Sequence, residues 1–228
     1  MTMSDQVTEI AYLPLKAGLD LESGDAKSAW EDAIGTIVKQ PGFKAFFWGK
    51  QIENPDIVQI VVDWESIDAH QTFIKSPSYR PFFDNLNQKI LAGPPTLFHV
   101  KFPVLESGAD SPFTMPVTEC VSAFFSPEHS EPEYSEQFTA FRTHGIKIPD
   151  VEARGMIGGW SVEGHTYEDA EKGSEVDGKM FAAFIGWPSV DSHLSFRKTE
   201  EFKGIVGYLR DGTKGVRVWH VAFQQYNK

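Results

Sequence analysis

Four histidines carry the main chemical signal in this chain, and they come in two matched pairs. His70 and His193 lie 123 residues apart within similar segments. His99 and His220 occupy FHVKF (98–102) and WHVAF (219–223), two copies of one strand pattern. Imidazole changes charge near neutral pH, so these four are the candidate catalytic residues, as general acids or bases. In the last strand of each copy, Phe98 and Val100, or Trp219 and Val221, fall on the strand face opposite the histidine. The imidazole then points either into a barrel or toward covering helices. The bland alternative is a buried histidine hydrogen-bonded to backbone. His70 and His193 fall in the first turn of a helix, whose dipole disfavours imidazolium. Phe73 and Ile74 follow His70 at i+3 and i+4, which puts it on the inward face. A packing or capping device repeated in both copies is the alternative there. His129, His144 and His165 are expected in loops or helix ends, exposed to water.

Aromatic residues make up 13% of the chain. Trp48, Trp64, Trp160 and Trp187 sit at predicted strand ends, where they could line a pocket for an aromatic ligand or simply pack a core. Phe73 and Phe83 join them as candidate lining residues. Tyr12 and Tyr79 have no like partner in the other copy, since Tyr79 aligns with Phe202. If only one copy keeps a working site, such one-sided polar residues are the better candidates.

Other chemistries find little support. Cys120 is the single cysteine, so no internal disulfide and no cysteine-based zinc site can form. It lies in the strand pattern TECVSAFF, as a small packed residue. Asp68 and His70 project from different faces of their helix, and no metal spacing stands out elsewhere, so neither metal nor cofactor is expected. There is no Gly-rich phosphate loop and no GxSxG. A net charge of -11 disfavours nucleic acid and anionic membrane as partners. No apolar run is long enough to span a bilayer, and MTMSDQVTE lacks the features of a signal peptide. A reducing, cytoplasmic setting is expected.

The elements that must position these residues come from an internal repeat. VVDWESIDAHQTFIKSPSYRPFF (61–83) aligns without gaps to residues 184–206, matching Trp64 to Trp187, Ser66 to Ser189, Asp68 to Asp191, His70 to His193 and Phe73 to Phe196. TEI (8–10) resembles TEC (118–120), and FWG (47–49) resembles GWS (159–161). Each copy reads strand–helix–strand–strand–helix–strand. In the first, Trp30, Ala33, Ile34, Ile37 and Val38 form one helix face. Pro41-Gly42 stops that helix, and Asn54-Pro55-Asp56 joins two strands. Ser66 caps a helix that Ser76-Pro77 breaks. The division predicted is 1–105 as the first half, 106–116 as linker and 117–228 as the second half. The acidic stretch 164–179 has only ENPD (53–56) as its counterpart. It reads as an inserted hairpin loop and a possible lid over the second half. This order is the split βαβ unit of ferredoxin-like folds, and the apolar residues on both strand faces imply two sheets facing each other. The fold class predicted is therefore α+β, with tandem ferredoxin-like units.

The strand-ending Trp64 followed by Glu65-Ser66, the short helix broken at Ser76-Pro77, and Tyr79 and Phe82 beyond it resemble the dimeric α/β-barrel superfamily, near its antibiotic-biosynthesis-monooxygenase group. The second copy keeps Trp187-Pro188-Ser189 but has Lys198-Thr199 at the break. The resemblance implies a pseudo-dimer within one chain, with a further homodimer open, and a small aromatic or apolar metabolite as partner. The activity it implies is cofactor-independent, His-assisted proton transfer: cyclisation, dehydration, decarboxylation or oxygenation of a polyketide-like substrate. A non-catalytic binding or stress-related protein of the same fold is the alternative. Haem-degrading relatives place an axial histidine about ten residues after the strand-ending Trp, where this chain has Ile74 and Arg197. Of the histidines, His99 or His220 is expected in whichever cavity is larger.

Overall fold

The computed structural model describes residues 5–103, 110–169 and 173–226. They form two compact units, Met1–His99 with Gln224–Lys228, and Val100–Phe223. The first unit thus takes back the end of the chain, which the sequence places in the second half. The predicted linker lies partly outside the described residues. Its far end forms a 3-10 turn, Pro112–Thr114, that buries Phe113 in the second unit.

The first unit runs β1 (Val7–Pro14), α1 (Gly24–Ile37), β2 (Phe43–Lys50), β3 (Ile57–Trp64), α2 (Ile67–Ile74), α3 (Tyr79–Lys89) and β4 (Thr96–Val100). With β10 (Gln224–Gln225) at one edge, the sheet order is β10-β2-β3-β1-β4. This is the expected β-α-β-β-α-β pattern. Helix α1 buries Ala29, Trp30, Ala33, Ile34 and Ile37, the face its 3.6-residue period predicts. Gly42 ends the connection after it at φ +82°, and a Cβ there would lie 2.5 Å from Ala69 Cβ. Only glycine meets both demands. Ser66 caps α2 by accepting from the Ala69 amide at 3.2 Å.

The second unit runs β5 (Val117–Phe125), α4 (Glu131–Gly145), β6 (Arg154–Trp160), β7 (His165–Asp169), β8 (Ser174–Trp187), α5 (Val190–Phe196), α6 (Glu200–Ile205), α7 (Gly207–Arg210) and β9 (Gly215–Val221). The sheet order is β6-β8-β5-β9, with β7 paired to β8. The described part of the acidic insertion pairs antiparallel, registering His165 with Gly178 and Asp169 with Ser174. Tyr167 buries its ring there.

The two units differ in how their helices close over the sheet. In the first, one continuous core runs from Val7 to Leu91, and α3 packs Tyr79, Phe82, Phe83 and Leu86 onto it. In the second, α3 is replaced by the short α6 and α7, neither of which fully buries a residue. Among the described residues, its core includes two separate clusters, one around Phe125, Tyr134, Phe138 and Phe181, the other around Phe141, Ile185 and Trp187. The repeat shows the cause. Phe82 and Phe83 correspond to the smaller Ile205 and Val206. On the sheet beneath, Ile60 gives way to Ala183 and Leu13 to Ala123, only partly offset by Val58 to Phe181 and Ala11 to Val121, so smaller residues in both layers leave room in the second unit.

Candidate active site

Each unit carries the same four buried side chains in the same contacts. Glu9 projects from the middle of β1, Trp64 ends β3, His70 lies one turn into α2 and His99 lies in β4. Their counterparts are Glu119 on β5, Trp187 ending β8, His193 on α5 and His220 on β9. All eight are buried. The local fold explains the placement. The strand-ending indole is followed two residues later by a serine N-cap, and the helix that starts there brings its first-turn histidine back over the indole. Trp64 and His70 stack with ring centres 5.0 Å apart, and Trp187 and His193 at 5.1 Å. In the second unit Glu119 and His220 are also direct cross-strand neighbours.

The polar contacts form a line. Trp64 Nε1 donates to Glu9 Oε2 at 2.9 Å, and His70 Nε2 lies 3.4 Å from the same oxygen. His70 Nδ1 then meets His99 Nε2 at 2.8 Å. In the second unit Trp187 Nε1 donates to Glu119 Oε2 at 3.1 Å, and His193 Nε2 lies 3.3 Å from Oε1. His193 Nδ1 meets His220 Nε2 at 2.7 Å. Each ring nitrogen in this line faces another proton-binding atom, so the bonds must run in one direction at a time. With an ionised glutamate, the helix histidine donates from Nε2 to the carboxylate and accepts at Nδ1. With a protonated glutamate, the order reverses. The line is therefore a relay that can carry a proton between carboxyl and strand histidine.

Burial pushes the Glu9 carboxyl up to about 7, against the hydrogen bond from Trp64 and the nearby His99, which pull it down. Burial likewise pushes Glu119 up to about 7, opposed by the Trp187 hydrogen bond and the charge of Arg197. Such a carboxyl is poised to give or take a proton at neutral pH.

Only the surroundings distinguish the copies. A cavity of about 880 Å3 opens in the second unit, with Glu119, Trp187 and His193 in its wall. Its sides are apolar, with Val121 and Ala123 from β5, Phe138 and Phe141 from α4, and Ala183 and Ile185 from β8. Arg142, Arg154, Arg197 and Arg210 also line it. In the first unit the corresponding space is filled. Phe73 stacks on Trp64 at 6.2 Å, Tyr79 meets Phe73 edge-on at 5.2 Å, and Phe83 stacks on Tyr79 at 6.1 Å.

The structure brings His70 to His99 and His193 to His220, and joins each pair to its strand-ending tryptophan. Phe73 is core of the first unit and joins its relay by stacking on Trp64, with the partly buried Tyr79 and Phe83 packed over it, and Trp48 packs edge-on against Trp30 at 5.3 Å. Tyr12 lies on the other face of its sheet, beside Phe98 at 5.9 Å. Trp160 donates to the Glu131 carbonyl and to Ser135 Oγ and packs among Phe125, Tyr134 and Phe181, outside the cavity wall. The strand histidine expected in the cavity is not part of its wall; His220 is reached through His193. Nor do the described residues of the 164–179 hairpin line the cavity. Two of the histidines expected in water are half-buried. His129 stacks on Phe125 at 4.5 Å, and His165 contacts Ser161 Oγ at 2.7 Å, its burial lowering its pKa.

Glu9 and Glu119 escaped the sequence reading. The signal was in the repeat: an acid sits at the same place in TEI and TEC, mid-strand, where an acid has no business unless it is held. Among the described residues, no group of three or more His, Cys, Asp or Glu is arranged to hold a metal ion. No helix of the described residues is long and apolar enough to cross a membrane.

Residues 22–85 match the sequence profile of a family described as antibiotic biosynthesis monooxygenase. Among solved structures, an anthrone oxidase-like protein aligns with a TM-score of 0.66 at 11% identity, over 98% of this chain and 94% of its own. A candidate monooxygenase from Lactobacillus acidophilus NCFM aligns at 0.61 and 9% identity, over 98% and 96%. Another, from Fusobacterium nucleatum, aligns at 0.60 and 13%, over 99% and 95%. At these identities the likeness is one of fold, and it spans both units. No curated protein matches the chain.

Proposed function

We propose, from the premise that this chain is a tandem protein resembling the antibiotic biosynthesis monooxygenases, that its second unit is an acid–base enzyme needing no cofactor and acting on a small aromatic metabolite. The observation that carries this reading is the opening of the Glu119–His193–His220 relay into an apolar cavity. Glu119 is the proton acceptor. A substrate whose C–H or O–H is acidified by a neighbouring carbonyl or aromatic ring loses that proton to the carboxylate. The proton stays on the Glu119 carboxyl, which in its ionised state is held by the line running from His220 Nε2–H to His193 Nδ1 and from His193 Nε2–H to the carboxylate. The apolar side of the cavity, from Val121, Phe138 and Ile185, shields the enolate from water. Cyclisation, dehydration, decarboxylation or reaction with dioxygen can follow from that anion. The anthrone oxidase-like neighbour supports an oxygenation of this kind.

The first unit, with the same relay sealed, supports a structural role for its own copy. If the second relay were equally structural, the chain would be a binding protein. Anthrone distinguishes these. Its central methylene is acidified by the flanking rings, and reaction with one O2 yields anthraquinone and one water. The full chain should form anthraquinone with matching oxygen uptake, and Glu119→Gln and His193→Asn should lose that activity. Binding of anthrone without turnover would favour the binding protein. Turnover undiminished in both variants would contradict the relay mechanism.

A further inference from the structure

The cavity wall holds more positive charge than an apolar ligand requires. Four arginines line it in a chain whose net charge is -11. Arg154 is tied down, donating from Nη1 to the Val151 and Ala153 carbonyls at 3.0 and 2.7 Å. The other three are not. Among the described residues, Arg142, Arg197 and Arg210 have neither a carboxylate at ion-pair distance nor a side-chain hydrogen bond. The acidic surplus elsewhere makes this notable, because three guanidinium groups without a carboxylate partner at one cavity can grip an anion.

Each of the three sits at a helix C-terminus: Arg142 in the last turn of α4, Arg197 as the cap of α5, Arg210 ending α7. The helix dipole accounts for a cation at such a position. It does not account for three ends converging on one pocket. The first unit offers a control, since the residue aligned with Arg197 is Ile74. Where the relay is sealed the cation is absent, and where the relay is open it is present. Arg197 is also the arginine whose charge acts on Glu119, so it lies toward the reacting end of the cavity. The two carboxylates in the wall, Asp110 and Glu119, make no ion pair with these arginines.

We infer that the second unit's cavity takes an aromatic carboxylic acid, with its rings against Val121, Phe138 and Phe141 and its carboxylate gripped from the arginine set, Arg197 foremost. This rests on the reading of the cavity as a small-molecule site and narrows its ligand from apolar to amphiphilic and anionic. An anchored carboxylate also fixes the orientation of the ring system relative to Glu119, which a purely greasy pocket would not do.

The test pairs two probes with the same rings, 2-naphthoate and its methyl ester, titrated calorimetrically into the full chain at low salt. The acid should bind about tenfold more tightly than the ester, and added salt should erode the difference. Arg197→Gln, and more fully the triple variant with Arg142→Gln and Arg210→Gln, should weaken the acid and leave the ester unchanged. Arg197 and Arg210 are exposed and Arg142 is half-buried, none in an ion pair, so folding should survive. Equal binding of acid and ester by the wild type would overturn the anionic ligand while leaving the aromatic cavity standing. A preference that persists in the triple variant would place the anion elsewhere and overturn it too. Failure of both probes to bind would remove the small-molecule site itself.

Discussion

The two units hold the same glutamate, tryptophan and histidine pair at nearly the same distances, yet one set is packed shut and the other faces a cavity. The difference lies in what covers the relay. Tyr79, Phe82 and Phe83 on the single helix α3 close the first unit. The broken pair α6 and α7, with Ile205 and Val206 in place of the two phenylalanines, leaves the second open. A buried carboxyl with a pKa of about 7 is an energetic burden in either copy. In the sealed copy its contacts tie β1 to β3, α2 and β4.

The largest expected effect breaks the symmetry directly. Glu119→Gln should lower turnover by about 100-fold or more, the range for loss of a general base. Glu9→Gln should leave it within about twofold. Steady-state kinetics on folded variants, checked by circular dichroism, reads both. Next, the comparison can be turned around by giving the second unit the first unit's cover. Ile205→Phe with Val206→Phe should abolish binding of 2-naphthoate and raise thermal stability, since filling a cavity commonly contributes about 0.5–2 kcal/mol. Calorimetric titration and a melting curve test the two halves of that statement. Unchanged binding would mean that the missing phenylalanines do not explain the cavity.

A smaller effect concerns the indoles. Each tryptophan donates to its glutamate and pulls the carboxyl pKa down. Trp187→Phe should therefore raise the Glu119 pKa and move the acid limb of the pH–rate profile to higher pH. Trp64→Phe should leave that profile where it is and cost stability only, about 1–3 kcal/mol for the lost partner of a buried acceptor. The smallest effect is on pH-dependent stability, where the copies should agree. In each unit the folded carboxyl holds its proton up to about 7, whereas the unfolded one releases it near 4.5. The native state binds more protons between these values, so the contribution to stability is full below about 4.5 and is lost as pH rises through about 7. Urea titrations from pH 4.5 to 8 should show this decline flattened in Glu9→Gln and in Glu119→Gln.

Much of the fold was legible because it is written twice. The offset between Trp64 and Trp187, the repeated serine cap and the α1 stripe from Trp30 to Ile37 follow from local periodicity and turn chemistry. The histidine pairs were visible as repeated residues, but not as partners, because His70 meets His99 only after β4 returns beside β1. Glu9 and Glu119 went unread because a lone acid in an apolar strand looks like surface until its tryptophan and histidine are placed around it. Single aromatic residues such as Tyr79 or Trp160 gave no such help. Whether a ring lines a pocket or fills a core depends on the opposing layer, which differs between the units at residues such as Phe83 and Val206.

The central claim is that a ligand reaches one relay and not the other, and imidazole NMR tests it most directly. With histidine ring nitrogens labelled and resonances assigned through single His→Asn variants, the full chain is titrated with 2-naphthoate. The resonances of His193 and His220 should shift in proportion to binding while those of His70 and His99 stay fixed. Equal shifts in both pairs, or shifts confined to His70 and His99, would contradict the account.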